Sequence, residues 1–321
     1  MISTVVKVAL PMNEELSIRK HRLGTDGKRL SIVTGIHGDE LEGQYVCYEL
    51  ARRISAAPEL LTGIVDIYPA LNPLGIHTVT RGIPAFDLDM NRIFPGRQDG
   101  DMNEYVASHI IEDLDGSALC IDIHASNIYL TEIPQIRINE LHRDMLLPLA
   151  RLANVDFVWV HGASTVLEAT LAHSLNARGT KTLVVEMGVG MRITRRYGDQ
   201  LVDGIFRLMK EMGIWQGSVC EVRRPVISDD PADVVFLNAP LSGVFLKAKE
   251  HGDHVYAGES IGRIVDPLRG QVLCEVTAPK AGWLFTIREY PMVSEGSLMA
   301  RILSADAFAR ETAREADGDG V

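Results

Sequence analysis

Short runs of β-branched residues alternate with longer amphipathic stretches through the first two thirds of the chain. The apolar runs lie at 29–35, 63–73, 118–126, 155–162 and 181–190, and the amphipathic stretches lie at 41–54, 143–153, 164–175 and 197–213. Such alternation is typical of an α/β fold. We predict a mixed, largely parallel sheet with helices on both faces. Thr165 and Glu168 have the spacing of a capping box, so the helix in this part of the chain is predicted to begin near residue 165.

The pattern changes at about residue 225, where strand formers and glycine replace helical periodicity. Two segments of this region, 239–264 and 278–302, can be aligned so that each begins with Ala-Pro. The alignment places Gly243 opposite Gly282. An internal repeat of this length predicts two interlocking β halves.

This repeated region resembles the barrel-sandwich module of biotinyl and lipoyl carrier domains. Those carriers present a modifiable lysine at the hairpin between the two halves, whereas the linking stretch 265–276 contains no lysine. Carrier function is therefore disfavoured. We divide the chain into an α/β domain at 1–224, a β barrel-sandwich domain at 225–305 and a frayed polar tail at 306–321.

The charge of the chain argues against polyanionic partners. Its 43 acidic and 32 basic residues give a net charge of -11, which repels phosphate backbones and anionic membrane surfaces. No apolar run reaches the roughly 18 residues of a membrane helix, and the N-terminal segment lacks the pattern of a signal peptide. We therefore expect a soluble, cytoplasmic protein without nucleic-acid or membrane partners. The four cysteines are far apart and form no C-x-x-C pair, so the sequence suggests neither a disulfide framework nor a thiolate zinc site.

Imidazole and carboxylate side chains follow the predicted strands. His37 and Glu40 come after the run at 29–35, His124 comes after the run that begins at 118, and Glu186 ends another run. Ligands of open α/β sheets bind beyond the carboxyl ends of the strands, so we expect these side chains to converge. Two ligands three residues apart and a distant histidine form a His₂Glu set, which leaves a position open for water and is typical of catalytic zinc.

An ordinary helix start explains the same tetrapeptide, because H-x-x-E is common by chance. In that alternative Asp39 caps the helix, Glu40 lies in its first turn, and His124 is a core histidine. On residues 37–40 alone this alternative is the stronger one. The metal site therefore depends on the rest of the pattern.

The segment 72–96 supplies that pattern, with Arg81 followed by Asp89-Met90-Asn91-Arg92 and then by Phe94-Pro95-Gly96. Together with the segments around the histidines, it resembles the succinylglutamate desuccinylase/aspartoacylase family, whose members are relatives of the zinc metallocarboxypeptidases. The ordered match covers about half of the chain. Met90 stands where the family more often has leucine, which is an apolar-for-apolar change.

The resemblance implies a zinc carboxypeptidase-like fold and makes 1–224 a zinc amidohydrolase domain. One zinc ion per chain would be held by His37, Glu40 and His124. Glu186 would act as the general base. Without the resemblance, Glu186 is a glutamate that ends a strand.

The resemblance also implies how a substrate is held. Arg81 would polarise the scissile carbonyl, and Asn91 and Arg92 would bind a substrate carboxylate. Without the resemblance, Arg81 is a surface arginine, and Asp89 and Asn91 cap a turn. The segment 126–139 is where we expect substrate selection, and nothing in it identifies a substrate.

The predicted function is a zinc-dependent hydrolase that cleaves the amide bond of an N-acyl amino acid or a related small carboxylate. The partner is then a small N-acylated substrate. Two alternatives stay open, namely a metallocarboxypeptidase acting on peptides and a metal-binding scaffold without catalysis. The sequence does not determine the acyl group, the amino acid or the oligomeric state. A homo-oligomer is one of the states that it allows.

Overall fold

The computed structural model describes residues 1–162 and 168–316, and its first part is built on one mixed sheet. In chain order its strands are β1 (Ile2–Ala9), β2 (Glu15–Leu23), β3 (Arg29–Thr34), β4 (Ile64–Tyr68), β5 (Leu119–His124), β6 (Leu130–Asn139), β7 (Phe157–His161), β8 (Thr182–Gly188) and β9 (Val226–Ser228). They lie in the order β1-β2-β4-β3-β5-β8-β6-β7-β9. Pairing is parallel from β4 to β8 and from β6 to β9, and antiparallel elsewhere. The predicted mixed sheet is confirmed.

Helices cover both faces of this sheet. They are α1 (Glu42–Ala56), α2 (Pro73–Thr78), α3 (Met102–Leu114), α4 (Arg143–Ala150), α5 (Leu171–Ala177) and α6 (Arg195–Glu211). Ile32 packs in one apolar cluster with α1, α4 and α6, whereas its neighbour Val33 packs in another with α3 and α5. Successive strand residues point to opposite faces, so the two clusters lie on opposite sides of the sheet. Within the described ranges, no helix combines the length and the apolar character that crossing a membrane requires.

Helix α5 overlaps the amphipathic stretch at 164–175. Its first residue is Leu171, and the Thr170 hydroxyl accepts a hydrogen bond from the His173 amide at 3.3 Å. A threonine in this position satisfies one of the free amides at a helix start. The predicted start near residue 165, with its capping box at Thr165, lies outside the described residues.

Strand β6 is an element that the sequence did not reveal. It occupies the segment in which we expected substrate selection, between β8 on one side and β7 on the other. Pro134 lies inside it, and the pairing with β8 shifts register between Glu132 and Gln135. Proline and polar residues are rare in central strands, which explains why the alternation was hidden.

The C-terminal region is all-β up to its last helix. Its strands are β10 (Val234–Asn238), β11 (Gly243–Lys247), β12 (His254–Val255), β13 (Ser260–Asp266), β14 (Gln271–Thr277), β15 (Gly282–Arg288), β16 (Met292–Val293) and β17 (Leu298–Ser304). The first half of the repeat forms β11 to β13 and the second half forms β15 to β17. Strand β12 pairs with β15, and β16 pairs with β11. The predicted interlocking of the halves is confirmed, while the likeness to carrier domains stays a prediction.

Hydrogen bonds join the two regions into one sheet. Strand β15 pairs with β6, with Thr286 opposite Glu132 and Arg288 opposite Leu130. Strand β9 pairs with β7. The boundary predicted after residue 224 therefore assigns β9 to the second region although its hydrogen bonds belong to the first. The β region is placed directly against the sheet that carries the predicted site.

The predicted frayed tail contains a helix, α7 (Ala305–Ala316). Ala307 is buried, and the Arg310 guanidinium donates to the Asp233 carboxylate. These contacts hold the start of the helix against the β region, so the prediction was wrong for this part of the tail. Residues 317–321 lie outside the described residues.

Asp66 on β4 is a fully buried carboxylate among cations. It accepts hydrogen bonds from Arg22 at 2.8 and 2.6 Å, and Lys20 Nζ lies 3.5 Å away. Burial raises the pKa of Asp66, but the Arg22 hydrogen bonds and the Lys20 charge lower it below its usual value. A carboxyl group of this kind stabilises the fold above its unfolded-state pKa, and the stabilisation is lost as the pH falls through the folded-state pKa.

We expect Asp66→Asn to lower the free energy of unfolding by about 2 kcal/mol at pH 7, because Arg22 loses a charged hydrogen-bond acceptor and Lys20 keeps only Asp113 as a charged partner. The difference in the free energy of unfolding between the variant and the wild type should become smaller as the pH falls below about 4, since Asp66 becomes protonated. Urea titrations at neutral and acidic pH measure this. Glu15→Gln, which breaks the exposed pair with Lys7 in the adjacent hairpin, is the control and should cost less than about 1 kcal/mol. Equal losses in the two variants would contradict the prediction.

Candidate metal and substrate site

All of the predicted site residues line one cavity of about 580 Å³. They are His37, Glu40, Arg81, Asn91, Arg92, His124 and Glu186. The cavity lies at the carboxyl ends of β3, β5 and β8, which are adjacent parallel strands. In this register His124 lies opposite Glu186. The predicted convergence of these segments is therefore present in the structure.

Two imidazoles flank one carboxylate at the centre of the cavity. His37 Nδ1 lies 2.8 Å from Glu40 Oε1, and His124 Nδ1 lies 2.9 Å from Glu40 Oε2. All three side chains are buried, and one potential ligand atom from each lies within 4.8 Å of the others. Among the residues that the structure describes, this is the one group of three or more such side chains that can hold a metal ion.

The outer nitrogen of each imidazole faces a second carboxylate. His37 Nε2 lies 3.0 Å from Asp89 Oδ1, and His124 Nε2 lies 3.1 Å from Asp122 Oδ2. Metal-binding histidines are commonly oriented in this way by carboxylates. Asp122 was not predicted as a site residue from the sequence, and Asp89 was predicted only to cap a turn. A signal was available for Asp122, which lies two residues before His124 and so on the same face of β5.

The charges of this cluster depend on each other. Burial raises the pKa of Glu40, but the charges of His37 and His124 lower it far below its usual value. Burial lowers the pKa of His124, whereas Asp122 and Glu40 raise it well above its usual value. Glu40 is therefore an ionised carboxylate at neutral pH. The raised pKa of His124 favours its protonated form in the metal-free protein, so metal binding there competes with a proton.

The helix-start alternative is wrong for two of its residues. Helix α1 begins at Glu42, its N-cap is Leu41, and no side chain caps it. Asp39 is instead buried, and its backbone carbonyl accepts a hydrogen bond from the Met191 amide at 2.7 Å. Glu40 precedes the helix and points at the imidazoles. The turn therefore serves to place side chains in the cavity, and Asp39 connects it to the loop after β8.

Arg81 lies against the same cluster. Its guanidinium donates to Glu40 Oε1 at 2.9 Å and to Asp89 Oδ2 at 3.3 Å. The Gly38 amide lies 3.3 Å from the Arg81 carbonyl, and a side chain at Gly38 would collide with the backbone of Gly75. Because Gly38 has no side chain, the backbone around His37 can lie directly against the segment that carries Arg81. The side chain is 40% exposed, so it is both partly solvated and part of the cavity wall.

Asn91 and Arg92 lie in a short helical turn that Asp89 begins. Asp89 Oδ1 accepts from the Asn91 amide at 2.9 Å, which is the capping role that the sequence also allowed. Asn91 Oδ1 accepts from the Leu171 amide at 2.9 Å. This bond satisfies the side-chain oxygen of Asn91 within the protein, and the Asn91 side chain lines the cavity. Arg92 is exposed at the cavity wall, and its Nη1 donates to the backbone carbonyl of Asn91 at 2.7 Å.

Glu186 faces the cavity beside Arg137, with 3.5 Å between Oε1 and Nη1. Burial raises the pKa of Glu186, Arg137 lowers it, and the charge of Glu132 raises it again, so that it lies above its usual value. A carboxylate with a raised pKa is a better proton acceptor near neutral pH. Arg137, Trp159 and Arg301 also line the cavity, and none of the three was predicted from the sequence.

A family model for the succinylglutamate desuccinylase/aspartoacylase catalytic domain matches residues 26–212, which is more than half of the chain. A relative in sequence is the N-alpha-acetyl-L-2,4-diaminobutyric acid deacetylase of Halomonas elongata. It is 25% identical over 284 residues, which are 86% of this chain and 82% of the relative.

Solved structures share the fold over nearly the whole chain. The ectoine utilization protein EutE (DoeB) of Ruegeria pomeroyi superposes with a TM-score of 0.80 at 20% identity, covering 95% of this chain and 98% of that one. A succinylglutamate desuccinylase of Silicibacter sp. TM1040 gives 0.81 at 22% identity, covering 94% and 97%. The likeness thus includes the C-terminal β region. On the family match and the fold, the chain belongs to the succinylglutamate desuccinylase/aspartoacylase family.

Proposed function

We propose that the protein is a zinc-dependent amidohydrolase that removes the acyl group from an N-acyl amino acid or a related small carboxylate. The observation that carries the proposal is the His37–Glu40–His124 cluster, which shares a cavity with the carboxylate of Glu186, a side chain outside the cluster. The family and the relative that deacetylates an N-acyl amino acid support the same reaction class.

The donor atoms fit zinc. Two imidazoles and a carboxylate are the ligands of many catalytic zinc sites, and three protein ligands leave a position open. His37 Nδ1 is buried. Glu40 Oε1 lies 2.8 Å from it, but the geometry between the two atoms is not that of a hydrogen bond. A buried polar atom without a partner is costly, which favours a ligand there. We therefore assign one zinc ion per chain to His37, Glu40 and His124.

Each of the cavity residues has a separate role in amide hydrolysis. Zinc, when bound, lowers the pKa of a water molecule and polarises a carbonyl. Glu186 accepts a proton from water on its carboxylate and delivers it to the nitrogen of the departing amine. Arg81 donates hydrogen bonds toward the carbonyl oxygen as negative charge develops on it.

The substrate carboxylate is assigned to Arg92 and Asn91. The Arg92 guanidinium can donate two parallel hydrogen bonds to a carboxylate, and the Asn91 amide nitrogen can add a third. Arg301 of the β region lines the same cavity. A cavity of about 580 Å³ that the β region helps to line favours a small substrate over an extended peptide.

Arg92→Met is expected to lower kcat/KM by about 10- to 100-fold, mainly through KM, because a charged hydrogen bond to the substrate is lost. Steady-state kinetics on the preferred substrate measure this. Arg97→Met is the matched control, since Arg97 is an exposed arginine nearby that pairs with Asp99. A change of the same size in both variants would show that the effect is not one of substrate binding.

A substrate panel tests the proposed function. The zinc-loaded protein is assayed with Nα-acetyl-2,4-diaminobutyrate, other N-acetyl amino acids, N-succinyl amino acids and short peptides. We expect the highest kcat/KM on one of the N-acyl amino acids. Faster release of C-terminal residues from peptides would identify a carboxypeptidase instead. No turnover on any compound would identify a metal-binding scaffold.

A further inference from the structure

A chain of alternating charges leads from Glu186 into the C-terminal β region. Arg137 Nη1 lies 3.5 Å from Glu186, and Arg137 Nη2 donates to the two oxygens of Glu132 at 3.1 and 3.0 Å. Arg301 Nη1 donates to Glu132 Oε1 at 2.5 Å. The order is therefore Arg301, Glu132, Arg137 and Glu186, with each charge next to an opposite one.

Glu132 is the centre of this chain and is fully buried. It accepts from Arg137 of its own strand and from two residues of the β region, Arg301 on β17 and Thr286 on β15. The pairing of β15 with β6 sets Thr286 opposite Glu132. The β region thus supplies two of the three side chains that satisfy this carboxylate.

Trp159 fixes the two arginines in place. The guanidinium carbons of Arg137 and Arg301 lie 5.8 and 5.9 Å from the centre of its ring. Two cations on one indole repel each other, and Glu132 between them offsets that repulsion. Such a buried network is satisfied as a unit, so the loss of one member changes the positions of the rest.

Arg137 is shared between two carboxylates. While Arg301 and Thr286 satisfy part of Glu132, one arm of the Arg137 guanidinium can face Glu186. Without Arg301, the uncompensated charge of Glu132 attracts Arg137 more strongly, and Glu186 loses the group that orients it. A general base displaced by about 1 Å can lose about 100-fold in rate.

We propose that Arg301 is a positioning residue for Glu186, acting through Glu132 and Arg137, so that the β region completes the active site. This rests on the proposed role of Glu186 as general base. Arg301 also lines the cavity, and a direct role in binding substrate is the competing explanation. The two explanations differ in their effects on kcat and KM.

The test uses the full-length zinc-loaded protein. Arg301→Met is expected to lower kcat by about 10- to 100-fold at unchanged KM and zinc content, and Arg301→Lys should restore part of the loss. Thr286→Val, which keeps the side-chain shape and removes one donor to Glu132, should lower kcat by about 2- to 10-fold. If Arg301→Met does not fold, the kcat of Thr286→Val decides whether the contacts of the β region with Glu132 position Glu186.

Arg288→Met is the control. Arg288 is also a buried arginine of the β region, but it donates to the backbone carbonyls of Tyr290 and Met292. Its replacement should lower stability and leave kcat unchanged. A wild-type kcat in Arg301→Met, a rise in KM alone, or an equal fall in kcat for Arg288→Met would overturn the proposal.

Crystal structures of Arg301→Met and Thr286→Val give a readout without turnover. We expect the Glu186 carboxylate to turn away from its wild-type position and Arg137 to move toward Glu132. An unmoved Glu186 would overturn the proposal. If the wild-type protein hydrolyses nothing in the substrate panel, the proposed function fails, and these structures still decide whether Arg301 positions Glu186.

Discussion

Glu186→Gln is expected to reduce hydrolysis by about 10³-fold while the zinc content stays at the wild-type level. The amide of glutamine cannot accept a proton from water, and it has the size and shape of the carboxylate that it replaces. Glu186 lies outside the His37–Glu40–His124 cluster, so metal binding does not depend on it. The measurement is kcat on the best substrate, with zinc determined by elemental analysis on the same sample.

Glu211→Gln provides the control, because Glu211 is an exposed glutamate at the end of α6. It should have the wild-type rate. A Glu186→Gln variant with an undiminished kcat would show that another group accepts the proton. A variant that had lost its zinc would show that Glu186 belongs to the metal site instead.

Glu40→Gln is expected to abolish both tight zinc binding and hydrolysis. The two oxygens of Glu40 face the Nδ1 atoms of both imidazoles, so this side chain is the centre of the cluster. Its loss also leaves the charges of His37 and His124 without their shared partner. Losing an outer carboxylate typically costs 10- to 100-fold in metal affinity, and we expect the loss here to exceed about 100-fold.

Asp122→Asn gives the comparison, because Asp122 contacts His124 Nε2 but lies outside the cluster of ligand atoms. It should weaken zinc binding by about 10- to 100-fold. Competition with a chromophoric chelator measures both variants without using activity. Equal affinities for Glu40→Gln and the wild-type protein would contradict the assignment of Glu40 as a ligand.

The parts of the structure that follow from local pattern were predictable from the sequence. The strand runs that end near His37, His124 and Glu186 form adjacent parallel strands, and their carboxyl ends meet at one edge. The glycine-marked repeat around Gly243 and Gly282 forms two halves that exchange short strands. In both cases the spacing of residues along the chain carries the information.

The parts that depend on distant contacts were not predictable. Arg301 lies 169 residues from Glu132 in the sequence. The two meet because β17 pairs with β15 and β15 pairs with β6, which no local pattern marks. Strand β6 contains Pro134 and polar side chains whose partners lie on other strands. Helix α7 packs on the β region through residues such as Ala307, although half of its residues are polar.

Zinc stoichiometry measured together with hydrolysis tests the central claim most directly. The purified protein is stripped with a chelator, titrated with zinc, and assayed at each step on the best N-acyl amino acid. We predict that the metal-free protein is inactive, that one zinc ion binds per chain, and that activity rises in proportion to the zinc bound. Full activity in the metal-free protein, or no gain in activity at one zinc per chain, would contradict the account.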